Sequence, residues 1–358
     1  MNELPENLTT LPEPLLRWYD SGARVLPWRD DPTAYHVWVS EIMLQQTRVS
    51  AVLPYYRRFL AALPDVVSLA AVEDGVLMKL WEGLGYYNRA RNLKKAANVI
   101  LERFGGAFPN EYETLLTLPG IGEYTAGAIA SIAFGRRVPA VDGNVLRVIA
   151  RISGDRGDVL DTGVKARFRG WITQIQPAER PGDFNQALME LGAMVCVPNG
   201  APHCADCPAR AFCRACLESS WTELPVKKKK APRRRENKTV FVLLRDGCTA
   251  LRQRPEQGLL ASLWEFPWAE GFLSENEAAR QLEQWGITPA SWLRQLETKH
   301  IFTHVEWHMR GYVLRVRGTG SENFCWADAA ALAQHAVPSA FSKFLQEAEQ
   351  MLSGGEEL

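Results

Sequence analysis

The 358-residue chain has no surplus of either charge. Its 41 Lys and Arg are matched by 41 Asp and Glu, which argues against a histone-like or polybasic protein whose binding rests on bulk charge. It lacks any run of eighteen apolar residues, so no membrane-spanning helix is expected. The opening stretch MNELPENLTTLPEPLL has no basic residue; that is the wrong chemistry for a secretory or organellar leader, and a cytoplasmic location is expected. No repeat of fixed period is visible, which excludes a solenoid. Cysteine is scarce and odd in number, seven in all. In a reducing compartment these are thiols or metal ligands rather than disulfides.

The length suits two or three domains, and the zero net charge hides an asymmetry. Residues 1–236 hold 30 basic and 26 acidic side chains, residues 237–358 hold 11 and 15. Strand-like alternation is almost absent before residue 220. Gly and Pro punctuate helical segments near 12–21, 34–62, 73–80, 88–104, 111–117, 123–134, 142–152, 162–175 and 183–196. Then comes KKKKAPRRRENK, with seven basic residues among the nine from Lys227 to Arg235, which reads as a solvated linker compatible with phosphate contact. Beyond it the pattern changes to short β-type runs at 239–245, 248–254 and 300–316, with helices near 274–285 and 339–352. The second domain is therefore expected to be α+β.

Two motifs carry chemistry. Cys196, Cys204, Cys207 and Cys213 form C-x7-C-x2-C-x5-C in a polar, Pro-containing segment, and four soft ligands on such a loop suit zinc or an iron–sulfur cluster. Cys216 is a competing ligand; Cys248 and Cys325 lie far away. In LPGIGEYTAGAIASIAFG (118–135), Gly120 and Gly122 form a tight turn that opens into an Ala-rich helix. Such a turn leaves backbone N–H groups at a helix start, where phosphate is attracted without any reading of base sequence.

LPGIGEYTAGA, VDGNVLRV and the four-cysteine loop together resemble the helix-hairpin-helix DNA glycosylase superfamily, and within it the MutY-type adenine DNA glycosylases. SEIMLQQTRV, GLGYYNRARNL and FNQALMELGAMVC extend the resemblance from about residue 14 to the C-terminus. The resemblance implies a mainly α N-terminal region, a six-helix barrel over about 31–137 plus an iron–sulfur module from about 1–30 and 138–225 holding one 4Fe–4S cluster. It then implies a basic linker at 226–237 and a C-terminal α+β Nudix-like domain for lesion recognition at 238–358. It further implies a monomer acting on the nucleoid, on duplex DNA with adenine opposite 8-oxoguanine or guanine. The chain departs from the family in one respect: its first cysteine spacing is seven residues where six is usual.

Cutting a purine from deoxyribose needs a proton for the leaving base and negative charge near the sugar. Glu41, in the apolar stretch VWVSEIMLQQ, is expected to be desolvated into its neutral, proton-donating form. Asp142, opening a helix in VDGNVLRV, is expected to be held as its anion by backbone donors and the dipole. By resemblance Glu41 protonates adenine N7 and later activates water, while Asp142 stabilises the sugar cation. Tyr124 stands where the related bifunctional enzymes of the endonuclease III type carry a Schiff-base lysine, so a monofunctional enzyme is expected, with Tyr124 and Asn144 hydrogen-bonding around the carboxylates. Gln46, Leu84 and Tyr86 resemble the wedge that fills the gap left by a flipped base. Trp28, Arg29 and Gln186 resemble the adenine pocket.

In the second domain, VLLRDGCTALRQRPEQGLLASLWEFP resembles the opening of a Nudix domain, but Arg280 and Gln284 stand where the metal-binding helix of such hydrolases has glutamates, leaving Glu283. Nucleotide hydrolysis is not expected. Phe302, Thr303 and His304 match the family element that contacts the oxidised guanine; the alternative for Thr303 is a buried strand position on one face with Ile301, Val305, Trp307 and Met309. The competing functions are an endonuclease III-like lyase on damaged pyrimidines and a noncatalytic lesion-binding protein.

Overall fold

A computed structural model describes residues 3–228, 232–320 and 323–353. The chain divides into two compact units, Met1–Ala71 with Arg91–Lys229, and Val72–Ala90 with Lys230–Leu358. The segment 72–90, part of the helical domain by sequence, thus groups with the C-terminal unit, where Glu82 Oε1 accepts from Val337 N at 3.0 Å. No helix among the described residues is long and apolar enough to cross a membrane.

Among the described residues of the first unit, the regular elements are all helices. Its helices begin where side chains can satisfy the orphan N–H groups of a first turn. Thr33 accepts from His36 N (3.2 Å), Asp142 from Val145 N (2.8 Å), and Asp161 from Gly163 N (2.8 Å) and Val164 N (3.1 Å). Pro12 and Pro181 sit at first helical positions, where their missing donor costs nothing. The apolar stretch expected as one helix over 34–62 is two, Ala34–Leu44 and Val49–Ala62. The chain breaks at Gln45–Arg48 because Gln46 takes a left-handed φ of 59°, which no α-helix accommodates.

Ala34–Leu44 is apolar on all sides, and Val37 through Met43 are buried, so Glu41 is carried inside by its neighbours. Leu8, Leu11 and Leu15 share one core with Val148 and Ile149 of Gly143–Ser153, Phe168 of Thr162–Ile175, and Phe184 and Leu188 of Pro181–Met194. Cutting fully buried Phe168 to Ala is expected to cost about 3–5 kcal/mol.

The second unit contains a sheet of seven strands, β1 (Arg234–Arg245), β2 (Cys248–Gln253), β3 (Trp264–Glu265), β4 (Trp268–Glu270), β5 (Thr288–Ile301), β6 (Val305–Arg317) and β7 (Cys325–Ala327). The order is β3-β2-β1-β6-β5, with β4 on β1 and β7 on β2; β1 and β6 run parallel. The run TVFVLL makes β1 central, with Val240, Val242 and Leu244 in one core and Phe241 and Leu243 in the other, the pattern of a strand covered on both faces. Ser342–Ser353 covers the first face through Phe344, and Glu275–Gln284 covers the second through Ala278 and Leu282. β1 begins at Arg234, so 234–237 of the expected linker are strand, while 229–231 lie outside the described residues. The run expected over 300–316 is not continuous: β5 ends at Ile301, and residues 302–304 turn the chain into β6.

Candidate active site

Glu41 and Tyr124 meet between the helices Ala34–Leu44 and Glu123–Ile132. The Tyr124 hydroxyl donates to Glu41 Oε2 and lies 3.2 Å from Met189 Sδ. Burial pushes the Glu41 carboxyl up to about 7; the Tyr124 hydrogen bond and the charge of Arg29 pull it down, and the charge of Asp142 adds to the rise. Tyr124 is itself raised well above its ordinary value by burial and by both carboxyls, so it remains protonated and able to donate.

Asp142 caps Gly143–Ser153, and its second oxygen, Oδ2, accepts from Asn144 Nδ2 at 2.7 Å. The sequence expectation was that the two carboxyl environments push in opposite directions. Instead burial raises Asp142 as well, against the hydrogen bonds from Val145 and Asn144 and the charge of Arg147. Desolvation outweighs the helix start here; what separates the two acids is the number of donors each retains. Behind Asp142, Arg147 Nη2 donates to Asn144 Oδ1 (2.8 Å) and Gly192 O (2.7 Å), and its Nε donates to Cys196 O (2.8 Å). Gly192 permits this approach, since a Cβ there would stand 2.6 Å from Asn144 Cβ.

One wall of the same cleft is polar. Arg29 Nε donates to Gln186 Oε1 (3.0 Å) and Arg29 Nη2 to Glu190 Oε2 (2.8 Å). Arg24 Nε donates to Glu190 Oε1 at 2.6 Å. Burial opposes the charge of Glu190, but these two guanidinium groups outweigh it and hold the carboxyl below the usual range. Trp28 packs edge-on against Tyr56 with centroids 5.2 Å apart and also lines the cleft. Glu41, Tyr124, Asp142, Asn144, Trp28, Arg29, Gln46 and Gln186, which the sequence singled out separately, thus surround one cavity. Glu190 and Arg24 were not singled out. The signal was available: Glu190 is a carboxylate in the otherwise apolar run ALMELGAM, the same context that marked Glu41.

In the hairpin, Gly120 has φ of 76°, and a Cβ there would meet Asn92 Cβ at 2.6 Å. Gly122 precedes Glu123–Ile132 in extended conformation, with φ of −97° and no side chain capping the helix. Only the first glycine is needed for its conformation; the second leaves the helix start open to an anion. In the other unit, the GLGYY turn sets Gly83 and Gly85 at positive φ (96° and 68°). It leaves Tyr86 49% exposed and Leu84 6% exposed, so Tyr86 is presented and Leu84 packs inside. Residues 302–304 form the β5–β6 turn, with Thr303 and His304 exposed. Phe302 stands edge-on to Trp307 at 4.9 Å, and Arg233 Nε donates to its carbonyl at 3.0 Å. The buried-strand alternative for Thr303 is thereby overturned.

Cys196, Cys204, Cys207, Cys213 and also Cys216 line a second cavity beside Arg151. Arg151 Nη1 lies 3.3 Å from Cys196 Sγ, and Cys213 Sγ donates to Arg151 O at 3.4 Å. Burial pushes the Cys207 thiol up to about 12 and the Cys213 thiol up to about 11, with the neighbouring thiols adding to the rise. Among the described residues no three His, Cys, Asp or Glu converge tightly enough for a single metal ion. A multi-iron cluster makes a different demand, because each cysteine binds its own iron and the sulfurs stand apart around the group. The donor set fits that demand. Cys248 and Cys325 are half-buried in β2 and β7 and are not among the residues lining this cavity.

Two family models match the chain, "HhH-GPD superfamily base excision DNA repair protein" over residues 39–174 and "NUDIX domain" over 239–347. The adenine DNA glycosylase of Homo sapiens is 39% identical over 364 residues, covering 85% of this chain and 66% of the human protein. That of Mus musculus is 39% identical over 366 residues, covering 86% of this chain and 71% of the mouse protein. The chain therefore spans about two thirds of the length of these curated relatives. Among solved structures, a thermostable thymine-DNA glycosylase superposes with a TM-score of 0.55 at 27% identity, covering 59% of this chain and 97% of that one.

Proposed function

We propose, on the premise that the chain belongs to the adenine DNA glycosylase family, that it excises adenine opposite 8-oxoguanine, and opposite guanine, by monofunctional hydrolysis. The family places it among base-excision-repair enzymes that act on adenine in DNA. The observation that carries the mechanism is a protonatable Glu41 and a hydrogen-bonded Asp142 on one cleft.

Adenine rotated out of the duplex enters this cleft, where Arg29, oriented by Glu190 and Gln186, faces the purine edge and Trp28 forms an apolar wall. Glu41 gives its proton to adenine N7. The C1′–N9 bond breaks with its electron pair moving into the base, and the positive charge left on the sugar is met by the Asp142 carboxylate. Glu41, now an anion, takes a proton from water as the oxygen adds to C1′, which restores the acid and leaves an abasic site. No lysine is among the described residues lining the cleft, so an amine that would cut the strand has no place in this scheme.

Gly120 and Gly122 serve the DNA phosphates and Gln46 fills the space vacated by the base; in the other unit, the exposed Tyr86 is available for DNA contact. Phe302, Thr303 and His304 contact the lesion opposite adenine, which the exposed turn supports. A 4Fe–4S cluster held by the cysteine cavity would supply a rigid scaffold for the loop 196–213. The chain acts as a monomer in the cytoplasm, on the nucleoid. With duplex carrying 8-oxoguanine opposite adenine, strand breaks are expected only after alkali; direct breaks would establish a lyase, and a mobility shift without base release would establish a binding protein. Visible sulfur-to-iron absorption by the purified protein checks the cluster.

A further inference from the structure

The Tyr124 hydroxyl has one hydrogen and two acceptors. Glu41 Oε2 is one, and Met189 Sδ, on the helix Pro181–Met194, stands 3.2 Å away as the other. Met189 is half-buried between the buried Leu188 and Glu190 and packs against the core that contains Phe184. A leucine would fill that volume as well. What a leucine lacks is the thioether sulfur, a weak acceptor, and here the sulfur lies against the one hydroxyl that bonds Glu41.

Where the hydroxyl hydrogen lies depends on the charge of Glu41. A carboxylate is a far stronger acceptor than a thioether, so anionic Glu41 holds the hydrogen. Neutral Glu41 carries its own proton, and two uncharged acceptors then compete. With that proton on Oε2, Glu41 donates to the Tyr124 oxygen and the hydroxyl donates on to Met189, a chain available only to the acid. The other titratable or charged groups lining the cleft are Arg24, Arg29, Arg48, Asp142 and Glu190. Arg29 lowers the Glu41 carboxyl and Asp142 raises it, while Glu190 is engaged with Arg24 and Arg29. Among the described residues, Glu41 and Met189 are the acceptors within reach of the Tyr124 hydroxyl.

Resting on the reading of Glu41 as proton donor, we infer that Met189 is a positioning residue. Its sulfur holds the Tyr124 hydrogen while Glu41 is an acid and yields it to Glu41 as the carboxylate forms. The turn of the hydroxyl makes and breaks no covalent bond; the one proton that changes owner passes from Glu41 to the base. Stabilisation that arrives only as charge develops favours the transition state over the resting enzyme. A hydroxyl fixed on Glu41 throughout would favour the anion at rest and empty the acid at lower pH.

The test is Met189→Leu, made in the parent and in Tyr124→Phe, with two readouts. One is the pH profile of single-turnover adenine release from duplex carrying 8-oxoguanine opposite adenine. The other is infrared titration of the buried carboxyl, assigned by its loss in Glu41→Gln. In the parent, losing one weak neutral hydrogen bond is expected to move the alkaline limb and the carboxyl titration down by about half a pH unit. In Tyr124→Phe there is no hydroxyl to hold, and the same substitution is expected to move neither. An upward shift, no shift in the parent, or an equal shift in both backgrounds overturns the inference. A parent that releases no adenine removes the glycosylase reading, and the infrared titration still decides whether Met189 acts through Tyr124. Should Met189→Leu fail to fold, both proteins are produced with norleucine in place of methionine, which exchanges the sulfur for a methylene, and the same outcomes apply.

Discussion

Glu41→Gln is expected to inactivate the enzyme and, above neutral pH, to stabilise it. Burial raises the Glu41 carboxyl from its ordinary 4.5 to about 7. The unfolded chain releases this proton near the ordinary value, so between the two the folded protein binds a proton that the unfolded chain does not. Stability contributed by Glu41 is therefore complete below the lower value and is lost as pH rises through the higher one. At about 1.4 kcal/mol per pH unit, the buried carboxylate costs the fold about 3 kcal/mol at alkaline pH. Glutamine has the same shape, still accepts from Tyr124, and never charges. Urea unfolding of parent and variant is expected to agree within about 1 kcal/mol near pH 4 and to favour the variant by about 3 kcal/mol near pH 8. DNA binding by the variant, with no base release in single turnovers, completes the expectation. A difference in stability that is the same at both pH values would refute the argument that Glu41 is buried as an acid, whatever the activity.

Tyr124→Phe removes the one hydroxyl that favours charged Glu41. A hydrogen bond to a charged group contributes about 1.5–3 kcal/mol, so the alkaline fall in single-turnover rate is expected to move up by about 1–2 pH units; a limb that moves down counts against the assignment. Glu190→Gln leaves Arg24 and Arg29 with a neutral partner and is expected to cost about 3 kcal/mol in unfolding experiments, with excision falling further than DNA binding. Thr303→Ala is expected to lower the preference for 8-oxoguanine:A over G:A in competition assays, and an unchanged ratio removes Thr303 from lesion recognition. Gly192→Ala drives a methyl into Asn144 and is expected to cost about 1–3 kcal/mol and to slow excision, whereas Gly170→Ala, which meets open space, is expected to leave the rate unchanged.

Residues whose chemistry contradicts their surroundings were the legible ones. Glu41 in an apolar helix and Asp142 at a helix start declare themselves, and both line the cleft. The same rule applies to Glu190, and to Arg147 and Arg151, two cations four apart on a helix whose other inward positions are apolar. Strand β5 was illegible for the opposite reason. It is an edge strand, exposed along most of TPASWLRQLETKHI, so no alternation marks it. The turn at 302–304 was hidden because Ile301, Thr303, Val305 and Trp307 keep a two-residue spacing across it, although the backbone reverses in the middle. The grouping of Val72–Ala90 depends on contacts such as Glu82 to Val337, which join residues far apart in the chain and leave no trace in a local pattern.

Tyrosine at position 124 has a consequence beyond the missing amine. Burial alone raises both Glu41 and Asp142, and two buried acids of similar affinity would leave the proton undecided between them. The decision lies with their partners. Asp142 receives donors from Val145 and Asn144, with Arg147 behind. Glu41 receives the Tyr124 hydroxyl, a neutral donor whose own proton is held more tightly than usual. A lysine at this place would set a cation beside Glu41 and favour its anion, taking away the acid that departure of an adenine requires. A neutral tyrosine pulls on the Glu41 proton less than a cation would, so burial still leaves Glu41 an acid while Asp142, with more donors, retains the negative charge, which is the division of labour that two carboxylates need for glycosidic cleavage.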